Sequence, residues 1–388
     1  MRGALFGSAS VEGGELGDAL DRACDRATAS LRGRTPDIAF AFVSPTYGAG
    51  VATAGRRIRE RTKARHVVGC TGLGVCETAG EIDGRPALSV LVGSLPGVEL
   101  VTFALRQDQL LTMTKPDELR TAIGLPASSK PSFVLLADPF TVDPDLVLDR
   151  LSEAYPGALA AGGMASGATR PGGHVLFRDG RAPRYGCVGV GIVGLPMRHV
   201  VSQGCRPVGR RFVITKCQEN KILTLSGRPA LPTIQEAIAQ LSESDRALAE
   251  TNLLFGRVMH EAQEDFDRGD FLIRNFVGAV PDEGAVLVGD KVRVGQTVQL
   301  QLRDGTTATS DLDEVLARAA KEGPARAVLL FSCAGRGKRL FDVPDHDVAA
   351  VRRRFGEIPL AGFYCNGEIG AVGPRNFVHG FTASLAVF

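Results

Sequence analysis

Tryptophan is absent from this 388-residue chain, and tyrosine occurs only 4 times against 19 phenylalanines. Long hydrophobic runs are missing too. The longest, Val188 to Leu195, falls far short of the roughly 18 residues needed to span a bilayer. The opening MRGALFGSAS lacks a secretory apolar core. There is no charge surplus: 45 basic and 43 acidic side chains leave +2, which argues against a dedicated nucleic-acid binder. Lysine supplies only 8 of the basic residues, a bias that reads as base composition rather than function. Cys24, Cys70, Cys76, Cys187, Cys205, Cys217, Cys333 and Cys365 include no C-x-x-C pair, and no Cys/His cluster has zinc spacing. These absences predict a reduced, cytoplasmic protein, with most thiols buried as small apolar groups and with no metal, membrane or nucleic-acid partner.

What remains is an ordinary globular composition, 44% hydrophobic and 23% charged, long enough for two to three domain equivalents at about 150 residues each. Glycine is the exception. The chain has 47, about 12% against a usual value of about 7%. Each glycine costs backbone entropy on folding, so the excess needs a structural reason. No G-X-Y period supplies one.

The glycines gather at recurring places. A helix is expected over Glu15 to Leu31, where Leu16, Leu20, Ala23, Ala27 and Leu31 keep helical spacing. An apolar strand over 37–43, a turn, a helix over 51–63 and a second apolar run at 66–68 then lead into Gly69-Cys70-Thr71-Gly72-Leu73-Gly74. The order recurs from Ser132, with a helix over 145–154, and ends in Gly162-Gly163-Met164-Ala165-Ser166-Gly167. It recurs again from Ala327, with a helix over 346–355, and ends in Gly362 to Gly370. Three strand–helix–strand units imply a mixed α/β fold of layered sheets flanked by helices. The polar, Gly- and Pro-punctuated stretch Met197 to Gly209 reads as a linker, which places two modules at 1–208 and 209–388. Thr233 to Phe255 reads as helix, broken near Ser242, and 271–302 as several strands.

Several separated motifs resemble the FIST-domain family. Gly69-Cys70-Thr71-Gly72 followed by Leu95-Pro96-Gly97-Val98 is similar to its N-terminal module. Phe271-Leu272-Ile273-Arg274-Asn275, Val294-Gly295-Gln296 and Leu302-Arg303-Asp304 resemble its C-terminal module. So does Leu360-Ala361-Gly362-Phe363-Tyr364-Cys365-Asn366-Gly367-Glu368-Ile369-Gly370, followed by His379-Gly380-Phe381-Thr382-Ala383. The resemblance spans about 35–388. It implies a small-molecule sensory protein of intracellular signalling, with an amino acid or related polar metabolite as ligand. Histidine kinases and cyclic-di-GMP enzymes are the kind of signalling partner the family implies. Some stand-alone members resemble haem-binding nitric-oxide sensors. No transmitter domain fits within 388 residues, so the expected output runs through a separate partner.

The expected ligand contacts follow from chemistry. Backbone N–H groups at Gly-rich turns suit a carboxylate or phosphate. That points to Cys70, Thr71 and Gly72, to Gly162 with Ser166, and to Tyr364, Asn366 and Glu368. Glu368 suits a ligand ammonium and Asn366 its carboxylate. The bland alternative is that these glycines only permit tight turns. Arg274, within an apolar strand, needs an anionic partner, either a ligand or a structural aspartate such as Asp304. Cys333 and Cys365 fall with Cys70 at strand–turn junctions, near Arg336, Lys338 and Arg339. Cys333, Cys365 and Arg336 join the expected ligand contacts; the cysteines otherwise read as packing residues or, with His379 as base, as candidates for thiol-dependent enzymatic chemistry. No catalytic residue and no cofactor is expected. The haem alternative would use His260 or His66 as axial ligand. Gly48 to Thr53 fails as a dinucleotide fingerprint, because Thr53 occupies the third glycine position. Arg352-Arg353-Arg354 reads as a solvated helix face.

Overall fold

A computed structural model describes residues 3–263 and 265–388. The chain divides into two compact units that are discontinuous in sequence. One comprises everything up to Val201, Leu312–Val378 and Thr382–Phe388; the other comprises Ser202–Asp311 and His379–Phe381. The fold is mixed α/β.

The first unit contains three copies of one pattern. Copy one runs β1 (Leu5–Glu12), α1 (Leu16–Ala29), β2 (Ile38–Val43), α2 (Ala54–Thr62), β3 (His66–Thr71), β4 (Gly74–Glu77), β5 (Gly80–Asp83) and β6 (Ala87–Ser94). Copy two runs β7 (Glu99–Leu105), α3 (Gln107–Thr112), α4 (Pro116–Ile123), β8 (Ser132–Ala137), α5 (Pro144–Ala154), β9 (Ala160–Met164), β10 (Leu176–Arg178) and β11 (Cys187–Val193). Copy three begins with β12 (Arg198–Gln203), and the second unit follows it in the chain. That unit holds β13 (Cys205–Gln218), β14 (Lys221–Leu225), β15 (Arg228–Pro229), α6 (Ala230–Ala239), α7 (Glu243–Asn252), β16 (Leu253–Val258), β17 (Phe271–Val280), β18 (Ala285–Val288) and β19 (Thr297–Arg303). Copy three then resumes within α8 (Gly305–Lys321), from Leu312 onward, and continues through β20 (Val328–Cys333), α9 (His346–Phe355), β21 (Leu360–Cys365), β22 (Glu368–Val372), β23 (Arg375–His379) and β24 (Thr382–Val387).

Three sheets result, with strand orders β1-β6-β2-β3-β10, β7-β11-β8-β9-β22-β23 and β12-β24-β20-β21-β4-β5. In each, the central parallel pair is joined by its crossover helix: β2 with β3, β8 with β9, β20 with β21. After each parallel pair the chain leaves its own sheet. Copy one lends β4 and β5 to the third sheet, copy two lends β10 to the first, and copy three lends β22 and β23 to the second. The exchange is cyclic.

Side chains alternate along a strand, so each sheet has two faces to bury. The inward faces share one core, in which Phe42, Phe331 and Phe363 pack together; Phe42 stacks on Phe363 at a centroid distance of 4.9 Å. The outward faces are covered by α1 and α2, by α3 to α5, and by α8 and α9. Local signals start these helices. The Glu15 side chain accepts the Asp18 N–H at α1, and Asp143 accepts those of Asp145 and Leu146 at α5, with Pro144 in the first turn.

The glycine excess finds its reason here. Gly69, Gly162 and Gly362 occupy equivalent positions in β3, β9 and β21. A Cβ at each would lie 1.9–2.0 Å from the carbonyl oxygen of Ala41, Leu135 or Leu330 on the neighbouring parallel strand. No side chain fits there.

In the second unit, β13 pairs with both β19 and β14, so the antiparallel order β13-β19-β16-β17-β18-β14 closes on itself as a barrel. The long strands β13 and β17 bend at register shifts to serve both sides. Helices α6 and α7 join the barrel core through Ile234, Ala237 and Ala249.

Two expectations change. Met197 to Gly209 is not a linker but carries β12 and the start of β13; Pro207 sits in β13 opposite Gln301. Thr233 to Phe255 does break at Ser242, whose hydroxyl caps α7, but it turns into β16 at Leu253. No helix among the described residues is long and apolar enough to cross a membrane.

Candidate functional site

The three Gly-rich turns of the first unit meet one another. The Ser166 N–H donates to the Thr71 carbonyl at 3.2 Å. Its hydroxyl accepts the Leu73 N–H at 2.7 Å and donates to the Tyr364 carbonyl. Met164 N–H donates to Gly367 O at 2.8 Å, and Asn366 N–H to Met164 O at 3.1 Å. A Cβ on Gly72 would come within 2.7 Å of the Phe363 side chain. Cys70, Thr71, Gly72, Gly162 and Ser166 are buried in this joint. The N–H groups of Gly72, Leu73, Ser166 and Asn366 already reach protein oxygens, so at these positions the turns brace each other rather than cradle an anion.

Polar groups with unused capacity collect at the third turn. Arg336 follows β20 and is 1% exposed, yet it carries a guanidinium. Its Nε and Nη2 each reach an Asp347 carboxylate oxygen at 2.8 Å. Ser332 Oγ donates to the same carboxylate at 2.8 Å, and His346 Nδ1 lies 2.9 Å from it. Burial alone would raise the Asp347 carboxyl; the Arg336 guanidinium, helped by His346, overrides burial and holds it well below the carboxylate range. Arg336 Nη1 has no hydrogen-bond partner.

Glu368 opens β22 and is completely enclosed. Its Oε2 accepts the Thr382 N–H at 3.2 Å and the Thr382 hydroxyl at 2.8 Å. Its Oε1 has no nitrogen or oxygen partner. Burial pushes the carboxyl up to about 8, against the opposing pull of Thr382, Arg336 and the Cys333 thiol. Burial thus favours the protonated carboxyl, which can donate as well as accept. Cys333, at the end of β20, is half-buried; its sulfur accepts the Gly335 N–H at 3.4 Å.

Tyr364 is 2% exposed, and its hydroxyl donates to Glu81 Oε2 at 2.5 Å. The other Glu81 oxygen accepts the N–H groups of Asp347 and Val348, which caps the first turn of α9. Cys365 is buried, and burial holds its thiol well above the usual range. Asn366 is exposed. The structure thus gathers Cys333, Arg336, Tyr364, Cys365 and Glu368 around one turn.

Arg274 belongs to the second unit. It pairs with Asp290, with Nε 3.4 Å from Oδ2, while Asp304 pairs with Arg206 at 3.4 Å. The shift between Phe276 and Gly278 in β17 sets which strand-end aspartate Arg274 meets, and spacing alone does not show that. His66 lies 3.4 Å from the Asp179 carboxylate, which also accepts the Val67 N–H. His379 and His260 fall in the second unit. Asp347 and Glu81 carry no sequence signal, because each reaches the turn from a strand or helix with no motif of its own; Thr382 lies in the stretch His379 to Ala383, whose sequence does not show that it meets Glu368.

An open groove of about 580 Å³ lies elsewhere, beside α2, and includes Arg56, Arg59, Lys63, Arg65 and Arg181 in its lining. Arg59 and Lys63 sit at the carbonyl end of α2, where cations offset the helix dipole.

Residues 37–228 match the FIST N domain, and residues 230–371 match the FIST C domain. An uncharacterized protein of Mycobacterium tuberculosis is 36% identical over 372 residues, 95% of this chain and 96% of that protein. An uncharacterized protein of Mycobacterium bovis is 36% identical over 368 residues, 94% of each chain.

Proposed function

The chain belongs to the FIST family, whose domains are associated with sensory signal transduction, and on that premise we propose that it is a sensor for a small polar metabolite of the amino-acid class. The ligand site is the third turn, among Arg336, Glu368 and Cys333. One observation carries this reading: two completely enclosed side chains, Arg336 and Glu368, each keep a polar atom without a nitrogen or oxygen partner. An unmet buried polar group costs about 1–3 kcal/mol. A ligand that supplies the missing partners recovers that cost on binding. Arg336 Nη1 is suited to a carboxylate. Glu368, neutral when the site is empty, ionises against a ligand ammonium, because a nearby positive charge favours the carboxylate. The output passes to a separate protein such as a histidine kinase or a cyclic-di-GMP enzyme.

Calorimetry of the full chain against the amino acids and their keto-acid analogues tests the reading. The expected result is one ligand class that binds at sub-millimolar concentration. Glu368→Gln weakens that binding at least about tenfold, the scale of one charged contact, and exposed Asn366→Ala leaves it intact. No heat from any compound at millimolar concentration would sink the reading.

A further inference from the structure

The third turn also ends two strands on a pair of thiols. In the parallel register of β20 and β21, Phe331 lies opposite Phe363 and Cys333 opposite Cys365. Alternation puts Leu329, Phe331 and Cys333 on the same face, and Ala361, Phe363 and Cys365 on the matching one. That face is the inward one, since Leu329, Phe331, Ala361, Phe363 and Cys365 all belong to the shared core. Neighbouring strands run about 4.8 Å apart, inside the roughly 4.4–6.8 Å window of Cα separations that a disulfide spans. Each cysteine is the last residue of its strand, so closing a bridge asks for adjustment mainly in the turns that follow.

The two thiols differ in access. Cys333 is half-buried and Cys365 fully buried. Reagents from solution therefore meet Cys333 first. Its sulfur already accepts the Gly335 N–H, and the Arg336 guanidinium attracts a negative sulfur there. The thiolate is the form that attacks an oxidant. Cys217 provides a built-in contrast. It too is only partly buried, but it lies opposite Ile222, with no thiol across the ladder.

We propose that Cys333 and Cys365 are a hydroperoxide-responsive pair that closes to a cross-strand disulfide. The Cys333 thiolate attacks the peroxide, the O–O bond breaks, and with one proton taken up an alcohol (or water, from hydrogen peroxide) leaves behind a sulfenic acid at Cys333. The Cys365 thiol then attacks that sulfur. A disulfide forms and the sulfenic oxygen departs as water with the Cys365 proton. Two electrons pass from the two thiols to the peroxide. This inference does not rest on the metabolite-binding reading.

The test uses the reduced, purified full chain, treated with hydrogen peroxide, alkylated in acid and digested with trypsin. The expected product joins the peptide 327–336, which carries Cys333, to 355–375, which carries Cys365. Thiol reductant reverses it, and Cys217 acquires no intramolecular bridge. In Cys365→Ser, dimedone capture of Cys333 sulfenic acid rises about tenfold or more, because the resolving thiol is gone. The proposal is overturned if Cys333 stays reduced while Cys217 reacts, if it proceeds unlinked to the sulfinic acid in the wild-type chain, or if it is found joined to any other cysteine. The wild-type peptide map decides the matter even if the variant fails to fold.

Discussion

Asp138 and His174, both fully enclosed, share a contact of 3.0 Å between Oδ1 and Nδ1. The second ring nitrogen, Nε2, accepts the Ala168 N–H at 3.2 Å. Asp138 also accepts the Phe140 N–H and the Thr141 hydroxyl. Burial works against this carboxylate, but His174 and the Phe140 N–H more than compensate and lower it below its ordinary value. The pair ties the end of β8 to the long excursion that follows the second Gly-rich turn. Asp138→Ala strands the imidazole in the core and is expected to cost about 3 kcal/mol, the usual scale for removing one partner of a buried pair. The sign with pH follows from the lowered carboxyl. Its contribution is complete above about pH 4 and is lost as pH falls through the lower folded value. Urea melts of wild type and variant at pH 7 and pH 3 check both statements, because the gap between them must shrink in acid.

Glu368 gives the opposite slope. Its folded carboxyl titrates near 8, far above the usual carboxylate value. The fold therefore favours the protonated form. Stability from this group is full below about pH 4.3, and it drains away as pH rises toward 8. Glu368→Gln keeps the neutral shape and removes the titration. The variant is expected to show a flatter profile between pH 5 and 8.5 and to gain a few kcal/mol on wild type at the alkaline end. Denaturant midpoints across that interval measure it; parallel profiles would show that Glu368 does not titrate there.

The three equivalent glycines make a matched set. Gly69→Ala, Gly162→Ala and Gly362→Ala each drive a methyl into a backbone carbonyl that cannot move without breaking its sheet. Each is expected to cost more than about 3 kcal/mol, beyond the usual range of a point substitution. Gly278→Ala, whose nearest contact is 3.8 Å away on the Leu287 side chain, serves as the tolerated control. Soluble yield and thermal midpoints of the four proteins test the pattern.

How much of this was legible beforehand depended on how far each residue must reach. Ser132–Ala137 is a strand and His346–Phe355 a helix at the expected bounds, because an apolar run and a 3.6-residue pattern are local signals. The clustering of glycine was visible for the same reason. Strand β1 was missed: LFGSASVE is half small and polar, and it is a strand because β6 pairs along its whole length. Helix α8 was missed because Gly305-Thr306-Thr307 opens it weakly; the Asp304 side chain holds that end by accepting the Thr306 N–H. Residues 197–209 looked like a linker because edge and barrel strands tolerate polar side chains and proline. Within the site, Arg336 and Glu368 were legible as charges beside a glycine turn. Their burial was not, since Asp347 and Thr382 come to them from other elements.

The cyclic loan of strands has a consequence for how this unit holds together. No copy of the pattern closes its own sheet; each depends on a strand from another copy and gives one away. A single copy on its own would leave an open edge beside its parallel pair and an orphaned strand in solution. It could satisfy both only by finding two further copies of itself. The unit thus carries the connectivity of a cyclic three-part assembly within one polypeptide. Joining the three parts in one chain frees each to specialise, so that the third alone carries Cys333, Arg336 and Glu368 at a strand end where the first has Ser44 and the second Asp138.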